Sequence, residues 1–283
     1  MAALRTETAA GVRHIVLSRA ERYNTITVEL RDELAAAIDA ANADDGVRVI
    51  LLRAEGPAFC AGYDLDSATE YQATGVEGSA RRGWDSVGDL AMIGSFNDVY
   101  MKLWYSRRPV IAAVQGWCIA GGTDMVLCCD LIIAAENASF GYPPSRVWGT
   151  PTTPMWVYRM GLERAKRYLL TGDEIPAVEA ARIGLILEAV PAAELQAHAT
   201  ALAERMAQVP LSQLVMLKLL CNQVVENMGF QSARLLGLLF DGVARHTDEG
   251  RAFVERAVQA GVRQAVRERD DPFGDYGSRK RGG

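Results

Sequence analysis

Residues 109–141 read PVIAAVQGWCIAGGTDMVLCCDLIIAAENASFG. PVIAAVQG is an unbroken apolar run closed by glycine, which predicts a strand buried on both faces, as in a parallel sheet covered by helices. AGGTDMVLCCD opens on glycines and reads as a helix, and LIIAAENASFG reads as strand, short turn and strand. A buried strand that turns through small residues into a helix delivers backbone N–H groups with no partners of their own, at the positive end of a dipole.

The same arrangement occurs once earlier, where a strand over 48–56 precedes Phe59-Cys60-Ala61-Gly62-Tyr63-Asp64-Leu65. Glycine lets a ligand approach such backbone closely. Two of these loops meeting at one point would offer two N–H groups to a single oxygen, the requirement for stabilising an enolate or tetrahedral oxyanion. By composition alone, such turns also bind phosphate or simply pack.

Outward from these loops, 12–18 reads as a strand, followed by a polar turn RAERYNT. A helix is predicted from Val28 to Ala41, with Thr27 as N-cap, Glu29 in the first turn, and Leu30, Leu34 and Ile38 facing the core. The glycine-interrupted stretch 66–100 reads as a helix and loop excursion that is mobile or lines a pocket, and 142–154 as a proline- and threonine-rich loop. Helices are expected over 155–170 and 176–183, a short strand near 185–190, then helices over 193–207, 211–227 and 230–245. The last seventeen residues, RERDDPFGDYGSRKRGG, mix both charge signs with glycine and predict a loose tail. The order of elements implies an α/β body over 1–200 and a helical region over 201–283.

Composition narrows the function. With 49% hydrophobic and 23% charged residues the chain is an ordinary globular protein. A net charge of −5 argues against nucleic acid as partner, and no apolar run is long enough for a membrane helix. The five cysteines are odd in number, form no C-x-x-C and follow no secretory leader pattern, so reduced thiols in a cytoplasmic protein are expected. The three histidines are far apart, so no metal site is expected.

FCAGYDL and the long central stretch 109–141 resemble the crotonase (enoyl-CoA hydratase/isomerase) superfamily, the first as its F-x-A-G-x-D-L element. RAERYNTITVELRDELAAAI, LERAKRYLLTGDEIPAVEAARIGLILEAVP and HTDEGRAFVE fit in order, so the likeness covers roughly residues 10–260. It implies a spiral of ββα units, a C-terminal helical region that assembles a homotrimer or dimer of trimers, and an acyl-CoA thioester substrate. Coenzyme A would enter as part of that substrate, with no redox or metal cofactor. By position, the two amides that hold the thioester oxygen are those of Tyr63 and Gly121. The coenzyme would lie along Ala61, Asp64 and Leu65, with Arg22 at a phosphate. Arg22 could equally be a solvated turn charge, and Asp64 could cap its own helix.

Two positions depart from the family. Its hydratases use two glutamates, one taking a proton from water and one giving a proton to the α-carbon. The first position holds Asp124, as in dienoyl-CoA isomerases, and the second holds Pro144, which transfers no proton. Asp124 could carry the chemistry or cap its helix. Hydration of an enoyl-CoA is the family's default reaction. Isomerisation, decarboxylation, thioester hydrolysis or acyl-CoA binding without turnover also fit a single carboxylate. Arg146 is a candidate partner for an acyl carboxylate or a structural ion pair. Cys60 and Cys118 are unpromising nucleophiles, and the tryptophans are core or tunnel residues.

Overall fold

A computed structural model describes residues 2–66 and 85–276. The apolar run at its centre forms β5 (Val110–Val114), every residue of it buried. It lies inside a six-stranded sheet ordered β1 (Leu4–Ala9), β2 (Val12–Leu17), β3 (Val49–Ala54), β5, β7 (Leu131–Ala135) and β10 (Glu188–Val190). All neighbours are parallel except β1 and β2, which pair antiparallel. Alternation divides β5 between two cores. Val110, Ala112 and Val114 join the main cluster, while Ile111 and Ala113 pack with Leu195, Ala199 and Ala203 of a helix beneath the sheet.

A smaller sheet runs beside the first, ordered β4 (Ala58–Cys60), β6 (Trp117–Ile119), β8 (Ser139–Gly141) and β9 (Ile175–Pro176). Each of β3, β5 and β7 therefore runs on into a strand of the second sheet, and helices follow. This is the expected spiral of ββα units. The short strands β4 and β6 are the floor of the two glycine loops.

Helix α1 (Val28–Ala43) begins as read, with the Thr27 hydroxyl accepting from the Leu30 N–H at 3.3 Å, and Leu30, Leu34 and Ile38 buried. After α2 (Ser86–Trp104) and α3 (Gly121–Val126), the helix expected over 155–170 is broken into α4 (Met155–Met160) and α5 (Leu162–Leu169). The break is Gly161, whose φ of 83° lies outside helical space. The remaining helices are α6 (Ala177–Arg182), α7 (Leu195–Ala207), α8 (Leu211–Asn227), α9 (Phe230–Arg245), α10 (Asp248–Ala260) and α11 (Val262–Asp270).

Strand β1 escapes a hydrophobic reading because five of its six residues are exposed; a turn at Ala10 and Gly11, both with positive φ, folds it onto β2. The tail differs from expectation too. Residues 267–270 finish α11, and Asp275 and Tyr276 dock on Arg146 and Gly172 through side-chain hydrogen bonds, so only 277–283 of the loose-tail reading lie outside the described residues. Of the 66–100 excursion, residues 67–84 also lie outside them. Among the described residues, no helix is long and apolar enough to cross a membrane.

Candidate active site

The two glycine loops meet backbone to backbone. A Cβ on Gly62 would stand 2.9 Å from the Ala120 Cβ and 3.6 Å from the Gly121 nitrogen, and one on Gly122 would stand 2.5 Å from the Cys60 carbonyl oxygen. A Cβ on Gly121 would come within 2.7 Å of the Tyr63 ring. Real side chains do not fit at such separations, so glycine here is a condition for the loops to touch.

Among the described residues, neither amide of interest has a backbone acceptor. Ile26 pairs with the first loop by donating its N–H to the Gly62 carbonyl at 2.9 Å and accepting from the Asp64 N–H at 3.0 Å. That leaves the Tyr63 N–H directed to the opposite side, with no backbone acceptor among the described residues. Gly121 is the first residue of α3, where an N–H has no intrahelical acceptor. The preceding Ala120 holds φ 52° and ψ −125°, a conformation an L-residue adopts at a cost of about 1–3 kcal/mol. Its N–H bonds to the Gly141 carbonyl of β8 at 3.0 Å, which pins the turn to the small sheet.

One turn along α3 stands Asp124, fully buried. It does not cap its helix. Its Oδ2 accepts from the Thr152 N–H at 3.3 Å and the Thr152 hydroxyl at 3.0 Å, and its Oδ1 is buried without a partner. Burial pushes its pKa up to about 8, against the pull of the Thr152 bonds, because a lone carboxylate in a dry site loses its hydration. The neutral acid is therefore close in energy to the anion near neutral pH, which suits a group that gives and takes protons.

A cavity of about 380 Å³ opens beside the first loop, lined by Ile26, Tyr63, Met92, Ile93, Phe96 and Arg245 among others. Tyr63 is held there by an edge contact to Phe96 at 5.4 Å and by the Tyr100 hydroxyl, which donates to its own at 3.0 Å.

The first loop is tied to the turn after β2. Asp64 is buried, accepts from the Thr25 hydroxyl at 3.1 Å and pairs with Arg22 at 3.4 Å and Arg19 at 3.7 Å. Arg22 also pairs with Asp66 at 2.6 Å, yet its side chain remains 47% exposed, at the loop's outer face. The Ala61 N–H is already used by the Tyr23 carbonyl at 3.1 Å, and Leu65 is half-buried.

Other candidates fall away. Arg146 is buried and bonded to Asp270 at 2.9 Å and Asp275 at 2.8 Å, so its donors serve the fold rather than an acyl carboxylate. Pro144 lies in a single 3-10 turn, Pro143–Arg146, with no group to transfer a proton. Cys60 is fully buried with its thiol pushed up to about 12, and Cys118 is shifted the same way, the opposite of an activated nucleophile. Trp104 stacks on Phe230 and Trp148 packs at a tilt against Phe253, as core residues do; Trp84 lies outside the described residues. Three residues at the site are invisible to motif reading: Thr152, Asp241 and Arg245. The only sequence signal for the last pair is an acid and a base four apart within an otherwise apolar helical run, LLGLLFDGVAR.

Comparison with known proteins gives the family. The family model described as enoyl-CoA hydratase/isomerase matches residues 7–259. The crystal structure of an enoyl-CoA hydratase from Mycobacterium smegmatis superposes with a TM-score of 0.91 at 40% identity, covering 98% of this chain and 96% of that one. An enoyl-CoA hydratase/isomerase from Xanthobacter autotrophicus gives 0.86 at 32% identity, over 96% and 98%. EchA13 of Mycobacterium tuberculosis is 35% identical over 246 residues, 77% of this chain and 72% of its own. Fold, loops and likeness converge: the chain belongs to the enoyl-CoA hydratase/isomerase family of enzymes.

Proposed function

We propose that the protein hydrates an enoyl-CoA, polarising the thioester carbonyl between the Tyr63 and Gly121 amides. The observation that carries this reading is the buried, half-satisfied carboxyl of Asp124, one turn beyond a helix-start amide with no backbone acceptor among the described residues. In hydration, negative charge gathers on the thioester oxygen as water adds to carbon 3. Preorganised N–H donors favour that charge more than they favour the neutral carbonyl, which lowers the barrier. Asp124 takes the proton from the attacking water.

The coenzyme would run along Ala61, Asp64 and Leu65, with the half-exposed Arg22 at a phosphate. The acyl chain would enter the cavity beside Tyr63 and Phe96. Isomerisation of a double bond is the second reading, favoured by Pro144, since one carboxylate can remove and return a proton. Free cysteines, all five of them, suit a reducing, cytoplasmic setting. Assembly into a trimer or dimer of trimers is supported by the exposed apolar residues of the C-terminal helices, Leu217, Leu220 and Val224 on α8 and Leu236 and Phe240 on α9.

The test is incubation with a panel of acyl-CoAs in isotope-labelled water, followed by mass spectrometry. Label on oxygen at carbon 3 is the expected outcome. Label only on carbon means isomerisation, and no product with any substrate contradicts both readings.

A further inference from the structure

We propose that Asp241 of α9 is the second carboxylate of this site, standing in for the proton donor that Pro144 cannot be. The inference rests on the acyl-CoA reading above and adds a residue to it. Four observations carry it.

Asp241 and Pro144 border one small space. A Cβ placed on Gly149 would lie 2.8 Å from the Pro144 Cβ and 3.5 Å from the Asp241 Oδ1. Glycine keeps that space open, and the carboxylate reaches it from a different element. Asp241 is also held for use: 7% exposed, it stands on the inner face of α9, where Arg245 donates to its Oδ2 from Nε at 3.2 Å and Nη2 at 3.1 Å. Arg245 itself lines the cavity with Tyr63. The Thr150 backbone also bonds to the carboxyl, so Asp241 is fixed from two elements at the edge of that space.

The third observation is electrostatic reach. The charge of Asp241 raises the pKa of Asp124, Tyr63 and Tyr142, so all four share one poorly screened volume. Asp241 faces Arg245 on its own helix and Asp89 of α2, which is in turn bonded to His246 at 2.5 Å. Burial raises the Asp241 carboxyl from its ordinary value, while Arg245 and a backbone bond from Thr150 oppose the shift. The fourth is the unpartnered Oδ1 of fully buried Asp124, a polar atom of the same site that awaits a substrate group.

The step balances as follows. The Asp124 carboxylate takes one proton from water as the water oxygen bonds to carbon 3 of a 2-enoyl thioester. The electron pair of the double bond moves toward the thioester oxygen, between the two amides. The Asp241 carboxylic acid then gives its proton to carbon 2, the carbonyl re-forms, and Asp241 is left ionised beside Arg245. Product release and exchange with solvent return both groups to their starting states.

The experiment follows hydration of crotonyl-CoA by wild type, Asp241→Asn and the double variant Pro144→Glu with Asp241→Asn, with coenzyme A binding measured in parallel. Asp241→Asn should lose ~10²–10⁴ in rate while binding coenzyme A within about threefold of wild type. The added glutamate should restore about tenfold or more. A single variant that hydrates within about threefold of wild type overturns the proposal and leaves the family reading intact. Binding lost in step with rate, or no gain from the glutamate, overturns it as well. A wild type that neither hydrates nor binds overturns both. Should Asp241→Asn not fold, a crystal structure of wild type with an unreactive crotonyl-CoA analogue decides. An Asp241 oxygen within about 3.5 Å of carbon 2 supports the role, and one beyond about 6 Å ends it.

Discussion

Asp124 and Thr152 are joined twice, the backbone N–H and the hydroxyl of Thr152 both donating to one carboxylate oxygen, at 3.3 and 3.0 Å. The pairing orients the carboxyl and leaves its other oxygen, Oδ1, bare in a buried site.

Asp124→Asn keeps the shape and the Thr152 bonds but removes the base. Turnover should fall ~10²–10⁴, with coenzyme A affinity unchanged by calorimetry. Unaltered turnover would remove Asp124 from the mechanism.

The same substitution should stabilise the fold as pH rises. The folded pKa of Asp124, about 8, lies above its ordinary value of 3.8, so the native state holds this proton more tightly than the unfolded chain does. The carboxyl therefore costs stability above pH 4, increasingly up to about pH 8, by about 1.4 kcal/mol per unit at most. Melting curves of Asp124→Asn against wild type should coincide near pH 4 and separate by several degrees at pH 8. Parallel curves across that range would show that the carboxyl is not held neutral.

Gly121→Ala tests the meeting of the loops. Its methyl would sit 2.7 Å from the Tyr63 ring, so the ring and the amide below it must shift. Misaiming one donor of an oxyanion hole should cost ~10²–10³ in kcat, with little change in far-ultraviolet circular dichroism.

Arg146→Met should leave acyl preference untouched and weaken the fold. It removes the guanidinium that Asp270 and Asp275 share, side chains 3% and 13% exposed, although Arg269 still holds Asp270 at 2.7 Å, so the cost in chemical denaturation should reach at most ~3–5 kcal/mol. A change in substrate preference with wild-type stability would reverse that assignment.

What the sequence reveals depends on whether the signal is local. Leu30, Leu34 and Ile38 advertise α1 by spacing, and all are buried. Gly62, Gly121 and Gly122 advertise the two loops because nothing larger fits where they meet. Local signals fail where partners are remote. Arg146 finds its carboxylates 124 and 129 residues away, so its candidacy for substrate could not be rejected from its neighbours. Thr152 sits in a loop without periodicity, and Asp241 looks like one charge in an apolar helix until the fold turns it toward Gly149. Strand β1, mostly exposed, owes its place to a turn and to backbone pairing rather than to burial.

The most direct test of the paired amides is the infrared stretch of an isotope-labelled thioester carbonyl in bound acyl-CoA. Two hydrogen bonds aimed at that oxygen should lower its frequency below the value in water, and Gly121→Ala should recover part of the difference. A bound carbonyl that vibrates as it does in water, or higher, would mean that the Tyr63 and Gly121 amides do not hold it.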